Sequence, residues 1–249
     1  MIDHHCGEAV DKNKIGVILS TDLSLAFDLV DHGILLDKLQ YYGIVSKELD
    51  LIRSYLSDRT QYTEIQTKSS PVMYSPNCSV VQGSRLSGLL YTIYTNEVPL
   101  PHKLMEDGDW MEKNLKETPT NYTEIDHDTV NFVDDSNSVI AFKNPDEVTF
   151  NINRFFSVLK IYYNDMKLSL NPDKTNLLVI SKPSLRQFTN DIRIEDDEEV
   201  IKPKQQIRIL GWLVNTRLSM DSSINATISS INSVLNSVKE IQKYMNELH

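Results

Sequence analysis

The stretch Thr129-Val130-Asn131-Phe132-Val133-Asp134-Asp135-Ser136-Asn137-Ser138-Val139-Ile140-Ala141-Phe142 decides the fold. Two short runs rich in β-branched and aromatic residues, 129–133 and 138–142, flank the turn-forming residues Asp134-Asp135-Ser136-Asn137, a pattern that predicts a β-hairpin with two adjacent carboxylates at its tip. A second buried strand is predicted over Ile15 to Leu19, ending at Ser20-Thr21-Asp22 and delivering another carboxylate at its C-terminal end.

Between these strands the pattern is mostly helical. Leu35, Leu36, Leu39 and Tyr42 keep helical spacing until Gly43, and Ser46 is expected to cap a second helix with Leu49, Ile52 and Leu56 on its apolar face. Extended stretches are predicted at 62–67 and 72–81. A helix then starts from Ser84 and ends before Pro99. Residues 100–130 hold three basic and eight acidic residues without periodicity, and read as an insertion. After the hairpin, Asn144-Pro145-Asp146-Glu147 opens a helix whose apolar face is Val148, Ile152, Phe155, Leu159 and Met166. A strand over 175–181, a hairpin over 207–218 and a final amphipathic helix from Ile224 to Leu248 complete the chain. The order is β-α-β-β-α-β, an α+β, ferredoxin-like arrangement.

Composition narrows the function classes. The 249 residues carry 25 Lys+Arg against 35 Asp+Glu, a net charge of −10, with two cysteines. No apolar run reaches the ~20 residues that a membrane-spanning helix needs, so an intracellular protein without a membrane partner is expected. Cys6 and Cys78 are too few for a disulfide framework, and His4-His5-Cys6 reads as a disordered start. The stretch 191–199 holds six acids and one arginine, so it and 100–130 together account for the whole excess of negative charge. A local groove that tracks phosphates therefore remains open, with Lys174, Lys202, Lys204, Arg208 and Arg217 as its candidate contacts.

The topology allows Asp22 to meet Asp134 and Asp135. Two unpaired carboxylates ~4 Å apart repel by about 1 kcal/mol in water and about 4 kcal/mol at an intermediate dielectric, so such a cluster calls for a cation, and an all-oxygen donor set suits Mg²⁺. Asp-Asp-Ser-Asn is also ordinary turn chemistry, and taken alone it leaves both readings open.

The surrounding sequence resembles the reverse transcriptases of non-LTR retrotransposons in five motifs, in order. Asp22-Leu23-Ser24-Leu25-Ala26-Phe27-Asp28-Leu29-Val30-Asp31-His32 resembles the first. Gln82-Gly83-Ser84 with Leu89 to Pro99 resembles the second, although Ser79-Val80-Val81 and Ser87-Gly88 stand where that family carries Gly-x-Pro and Gly-Pro. Phe132-Val133-Asp134-Asp135, Leu170-Asn171-Pro172-Asp173-Lys174-Thr175, and Ile209-Leu210-Gly211-Trp212 with Leu218-Ser219-Met220 resemble the third, fourth and fifth.

The resemblance implies a polymerase palm, an antiparallel sheet with helices on one face, over 1–204 with remnant fingers elements. A primer-grip hairpin and partial thumb would occupy 205–249. Asp22, Asp134 and Asp135 become catalytic metal ligands for two Mg²⁺ ions, with Mn²⁺ as a substitute. Leu23, Phe27, Gln82, Gly83 and Lys174 become nucleotide-binding residues, with Phe27 as the steric gate against a 2′-hydroxyl. Leu210, Gly211 and Trp212 form the primer grip.

The activity implied is RNA-directed DNA polymerisation, with an RNA template, a DNA primer and dNTPs as partners and a nuclear setting. The basic fingers and the endonuclease of such enzymes are not seen in the chain, so weak primer-template binding and poor extension are expected of it. An RNA-directed RNA polymerase or nucleotide cyclase palm, and a catalytically silent remnant serving as a binding module, are the alternatives. Phe27 and the Phe-Val-Asp-Asp form favour a DNA product.

Overall fold

The computed structural model describes residues 2–59, 64–65, 68–69, 77–81, 83–96, 113, 126–132, 135–189, 191–196, 199–219, 221, 224–225 and 227–235. Its centre is an antiparallel four-stranded sheet of β1 (Ile15–Thr21), β5 (Asp126–Phe132), β6 (Asp135–Phe142) and β8 (Asn176–Ile180), in the spatial order β5-β6-β1-β8. Helices separate β1 from β5 and β6 from β8, so the β-α-β-β-α-β reading and the ferredoxin-like order hold.

β1 is apolar at nearly every position because both of its faces are covered. Ile15, Val17 and Leu19 face the larger core, shared with α2 (His32–Tyr41), α3 (Ser46–Leu56), α4 (Arg85–Thr95) and α5 (Val148–Asp165). Ile18 faces a smaller core built with Val139, Leu178, Ile207, Ile209 and Cys6. Cys6 belongs to α1 (Ile2–Asp11), so the expected disordered start is a helix that covers the second face of the sheet. Its apolar positions are few, and tertiary packing supplies what periodicity did not signal. Both cysteines are free thiols, as expected.

Capping explains the helix ends. Asp31 precedes α2 and its carboxylate accepts a hydrogen bond from the Ile34 amide at 3.0 Å. Gly43, at φ +87°, lies just beyond its end. Ser46 does not cap α3. It is the first residue of that helix, at φ +55°, and Val45 precedes it without a side-chain cap. Ser84 accepts from the Leu86 amide at the start of α4, and Asn144 accepts from the Asp146 amide ahead of α5.

The central hairpin corrects the expected turn. Phe132 pairs with Asp135, so the connection is Val133-Asp134, which lies outside the described residues. Asp135, Ser136 and Asn137 belong to β6 because β1 pairs with that strand as far as Thr21↔Ser136 and β5 pairs with it on the other side. Two ladders outweigh the turn preference of these polar residues, as tertiary context commonly does.

Within the predicted extended stretch 62–67, β3 (Glu64–Ile65) pairs with β4 (Lys68–Ser69), which lies between the two predicted stretches, and within 72–81 Cys78 forms a bridge with Asp31; residues 62–63, 66–67 and 72–76 lie outside the described residues. Most of 100–125 lies outside the described residues, while 126–130 belong to β5 rather than to an insertion. Two more short strands, β9 (Ile194–Glu195) and β10 (Val200–Ile201), pair beyond β8. Residues 227–235 are helical, and Ile224, Ile228, Ile231 and Leu235 stay about half exposed, so the described part of this stripe is not buried; residues 236–248 of the predicted helix lie outside the described residues.

Candidate active site

The site forms where β1 ends. The β1–β6 register runs to Thr21↔Ser136, so one further step sets Asp22 opposite Asp135, at the mouth of the two-residue connection that holds Asp134. The sheet thus brings together backbone positions separated by more than a hundred residues. Asp134 itself and the side chain of Asp135 lie outside the described residues. The carboxylate of Asp22 is described and is 20% exposed.

The fourth motif sits against Asp22. After Asp22 the chain continues as β2 (Leu23–Ser24), which pairs with β7 (Ser169–Leu170), and the Asn171 amide donates to the Asp22 carbonyl at 2.9 Å. Asn171 then caps a single 3₁₀ turn over Pro172–Lys174, accepting from the Lys174 amide. This turn brings Lys174 Nζ to 2.8 Å from Asp22 Oδ2. The contact is an ion pair off the line of a hydrogen bond, and Asp22 Oδ2 accepts no hydrogen bond although it is buried. Nearby, Asn137 Oδ1 is also buried without a donor. Leaving buried acceptors unmatched costs about 1–3 kcal/mol each, and an excess of oxygen acceptors over donors is the chemistry of a cation site. Among the described residues alone, no three metal-ligating side chains converge.

A buried support lies one residue beneath the carboxylate positions. Thr21 precedes Asp22, Ser136 follows Asp135, and both side chains hydrogen-bond the hydroxyl of Tyr163 from α5. Thr21 Oγ1 also donates to the Ser136 carbonyl at 3.4 Å. Burial pushes the Tyr163 hydroxyl up to about 12 against the opposite pull of those hydrogen bonds, so it stays protonated at neutral pH. Sequence reasoning passed over Tyr163, although it falls four residues after Leu159 on the same helical stripe. Its polar tip, not its spacing, marks it as more than packing.

Phe27 is half-buried and its ring stacks on Tyr91 of α4, with centroids 4.8 Å apart and planes 21° apart. Tyr91 is fully buried and fixes that ring from behind. Leu23 is buried in the larger core, which leaves its backbone as the part that a ligand can reach. Gln82 lies outside the described residues. Gly83 precedes the Ser84 cap at φ +84°, a conformation that disfavours any side chain.

The fifth motif is a hairpin of β11 (Gln206–Ile209) and β12 (Trp212–Asn215), turning at Leu210-Gly211. Both turn residues have positive φ, +48° and +88°, which is the type I′ geometry that suits a two-residue hairpin. Ile207 and Ile209 anchor it to the second face of the sheet, the face that Ile18 and, by alternation, Ser20 and Asp22 share. Leu210 and Trp212 stand out at 45% and 55% exposure, an apolar tip on the carboxylate side of the sheet.

Comparison with known proteins addresses the family and the fold. The family model for reverse transcriptase (RNA-dependent DNA polymerase) matches residues 2–214. The chain is 24% identical over 230 residues to a probable RNA-directed DNA polymerase from transposon BS of Drosophila melanogaster, covering 90% of this chain and 22% of that protein. The chain therefore spans about a fifth of that curated relative. Among solved structures, telomerase from Candida albicans in complex with a TWJ fragment of telomeric RNA superposes with a TM-score of 0.51 at 16% identity, over 88% of this chain and 32% of that one. Apo telomerase from Candida tropicalis, truncated from its C-terminal domain, superposes with a TM-score of 0.54 at 14% identity, over 88% and 38% of the two chains. These two likenesses concern the fold. With the family model matching residues 2–214, this chain belongs to the reverse transcriptase (RNA-dependent DNA polymerase) family.

Proposed function

We propose that the chain is the palm-centred part of an RNA-directed DNA polymerase that adds dNTPs to a DNA 3′-hydroxyl on an RNA template. The observation that carries this reading is the register setting Asp22 opposite Asp135 at the mouth of the Asp134 turn, with Lys174 ion-paired to Asp22. Reverse transcriptases generally use divalent metals, and the oxygen-rich, donor-poor end of the sheet fits such a cation. Asp22, Asp134 and Asp135 would hold two Mg²⁺ ions, or Mn²⁺ in their place, supplying Lewis-acid charge to the attacking hydroxyl and the leaving pyrophosphate.

The chain's own residues have separable tasks. Lys174 neutralises Asp22 and carries a proton beside the place where pyrophosphate would leave. Phe27, braced by Tyr91, presents a ring that cannot retreat from a 2′-hydroxyl, which is the geometry needed to favour dNTPs. Gly83 and Gln82 would face the incoming nucleotide and template, and the exposed Leu210 and Trp212 would hold the primer end. We place palm and fingers elements in 1–204 and the primer grip with the start of a thumb in 205–249.

The test is extension of a DNA primer on an RNA template with Mg²⁺ and dNTPs, comparing wild type with Asp22→Asn. Loss of one ligand charge is expected to lower extension by ~100-fold or more without lowering the thermal midpoint. Extension by Asp22→Asn at the wild-type rate overturns the assignment. A wild-type chain that extends nothing supports the silent-remnant reading instead, and incorporation of rNTPs in preference to dNTPs supports an RNA polymerase palm.

A further inference from the structure

Three segments that carry no catalytic motif converge along β8, the edge strand of the central sheet. Arg186, Thr189 and residues 191–193, residues 202–205 and the turn at 216–217 enclose two cavities of about 350 and 210 Å³ that share Val179, Thr189, Gln205 and Thr216, and so form one continuous groove. Five cations line it: Arg186, Arg193, Lys202, Lys204 and Arg217. Asp191 is the one acid on its walls among the described residues. In a chain of net charge −10 this concentration of one sign runs against the overall balance.

The cations are available. Arg193 pairs with Glu195 at 2.7 Å, and Lys204 bonds the neutral Asn176 side chain. Arg186, Lys202 and Arg217 are exposed and make no ion pair among the described residues. Lys204 of the lining bonds Asn176, which pairs with Ser20 two residues before Asp22, while Val179 and Ser181 of the lining lie at the other end of β8, where Ile180 pairs with Gly16. The floor of the groove is Val179 and Ile192, and none of the described residues that line the two cavities is aromatic, so they offer no platform on which bases could stack.

We infer that this groove binds the sugar-phosphate backbone of single-stranded RNA, without reading its bases, and guides the strand along the palm edge. The inference rests on the polymerase reading for the choice of a nucleic acid over another polyanion. Phosphates recognised by lysine and arginine without base contacts give sequence-independent, salt-dependent affinity, and guanidiniums suit phosphate oxygens in particular.

The experiment titrates the full chain with a fluorescently labelled single-stranded RNA across a range of salt concentrations. The proteins compared are wild type, Arg186→Glu/Arg217→Glu, Lys202→Glu and Asp22→Asn. The double variant is expected to bind at least tenfold more weakly, with a salt slope shallower by about 1.4 for two lost single-strand contacts. Lys202→Glu should weaken binding in the same sense, and Asp22→Asn should bind like wild type. All the altered cations are exposed, so an unchanged thermal midpoint separates lost contacts from lost fold. Unchanged affinity and slope in both groove variants overturn the groove, whatever the extension assay gives. Equal binding of polyglutamate of matched charge also overturns it, since RNA would then not be the preferred polyanion. If Asp22→Asn extends primers normally while the groove variants lose RNA, the polymerase reading fails and the groove stands.

Discussion

The Tyr163 hydroxyl ties together two strands of the sheet from below, one residue short of Asp22 and Asp135. Its hydrogen bonds to Thr21 and Ser136 clamp the two residues that adjoin Asp22 and Asp135, so the side-by-side placement of those backbone positions is supported from α5. Tyr163→Phe keeps the buried ring and removes the clamp. We expect a stability loss of about 0.5–1.5 kcal/mol. A several-fold fall in kcat with little change in the KM for dNTP should accompany it, together with a higher Mg²⁺ concentration for half-maximal rate. Primer-extension kinetics across a Mg²⁺ titration check this, and an unchanged Mg²⁺ requirement would reduce Tyr163 to packing alone. Asp22 was legible as a strand-end carboxylate, whereas its ion pair with Lys174 was not, because 152 residues separate them in the chain.

At the scale of elements, the fifth-motif hairpin combines strain with exposure. Leu210 occupies a left-handed conformation at φ +48°, and Gly211 at φ +88° completes the turn that aims Leu210 and Trp212 outwards. Nothing lies within 4 Å of where a Cβ on Gly211 would sit, so a side chain there meets backbone strain rather than a clash. Gly211→Ala is therefore expected to cost about 1 kcal/mol or somewhat more in stability, measurable by urea denaturation. It should also weaken primer retention while leaving dNTP affinity largely intact. β6 makes the complementary point. Its polar start, Asp135-Ser136-Asn137, has turn composition and strand structure, because pairing on both sides buries Ser136, Asn137 and Ser138.

For the molecule as a whole, the helical layer is joined to the first motif by electrostatics as well as apolar packing. Asp31 caps α2 and also meets Lys167, just beyond the end of α5, at 2.6 Å. Burial alone would raise the Asp31 carboxyl, but Lys167 and the Ile34 and Gly33 amides outweigh it and hold the group below its ordinary value of 3.8. A depressed carboxyl contributes stability above its unfolded pKa and loses it as pH falls through the folded one. Lys167→Met should therefore cost a few tenths to about 1 kcal/mol at pH 7, since the lysine is largely exposed, and the difference from wild type should close as pH drops below about 3.8. Thermal melts of both proteins from pH 7 to pH 3 test this, and a gap that does not narrow below pH 3.8 would remove the ion pair as its cause.

Sequence by itself determined the elements whose signals are local. The apolar run 15–19, the Asn144-Pro145 helix start, the Gly43 stop and the five ordered motifs are each written in contiguous residues, and together they specify the β-α-β-β-α-β order. Only the tertiary structure decided matters that depend on pairing between distant segments. These include the assignment of Asp135 to a strand instead of a turn, the use of α1 and the β11–β12 hairpin to cover the second face of the sheet, and the meeting of Tyr163 with Thr21 and Ser136. The same holds for the basic groove, where Arg186 and Arg193 join Lys202, Lys204 and Arg217 while Arg208 stays on β11 away from its lining. The physical reason is that local propensities are worth tenths of a kcal/mol per residue, whereas ladder pairing and burial of a whole face are worth several, so long-range contacts override local preference wherever the two compete.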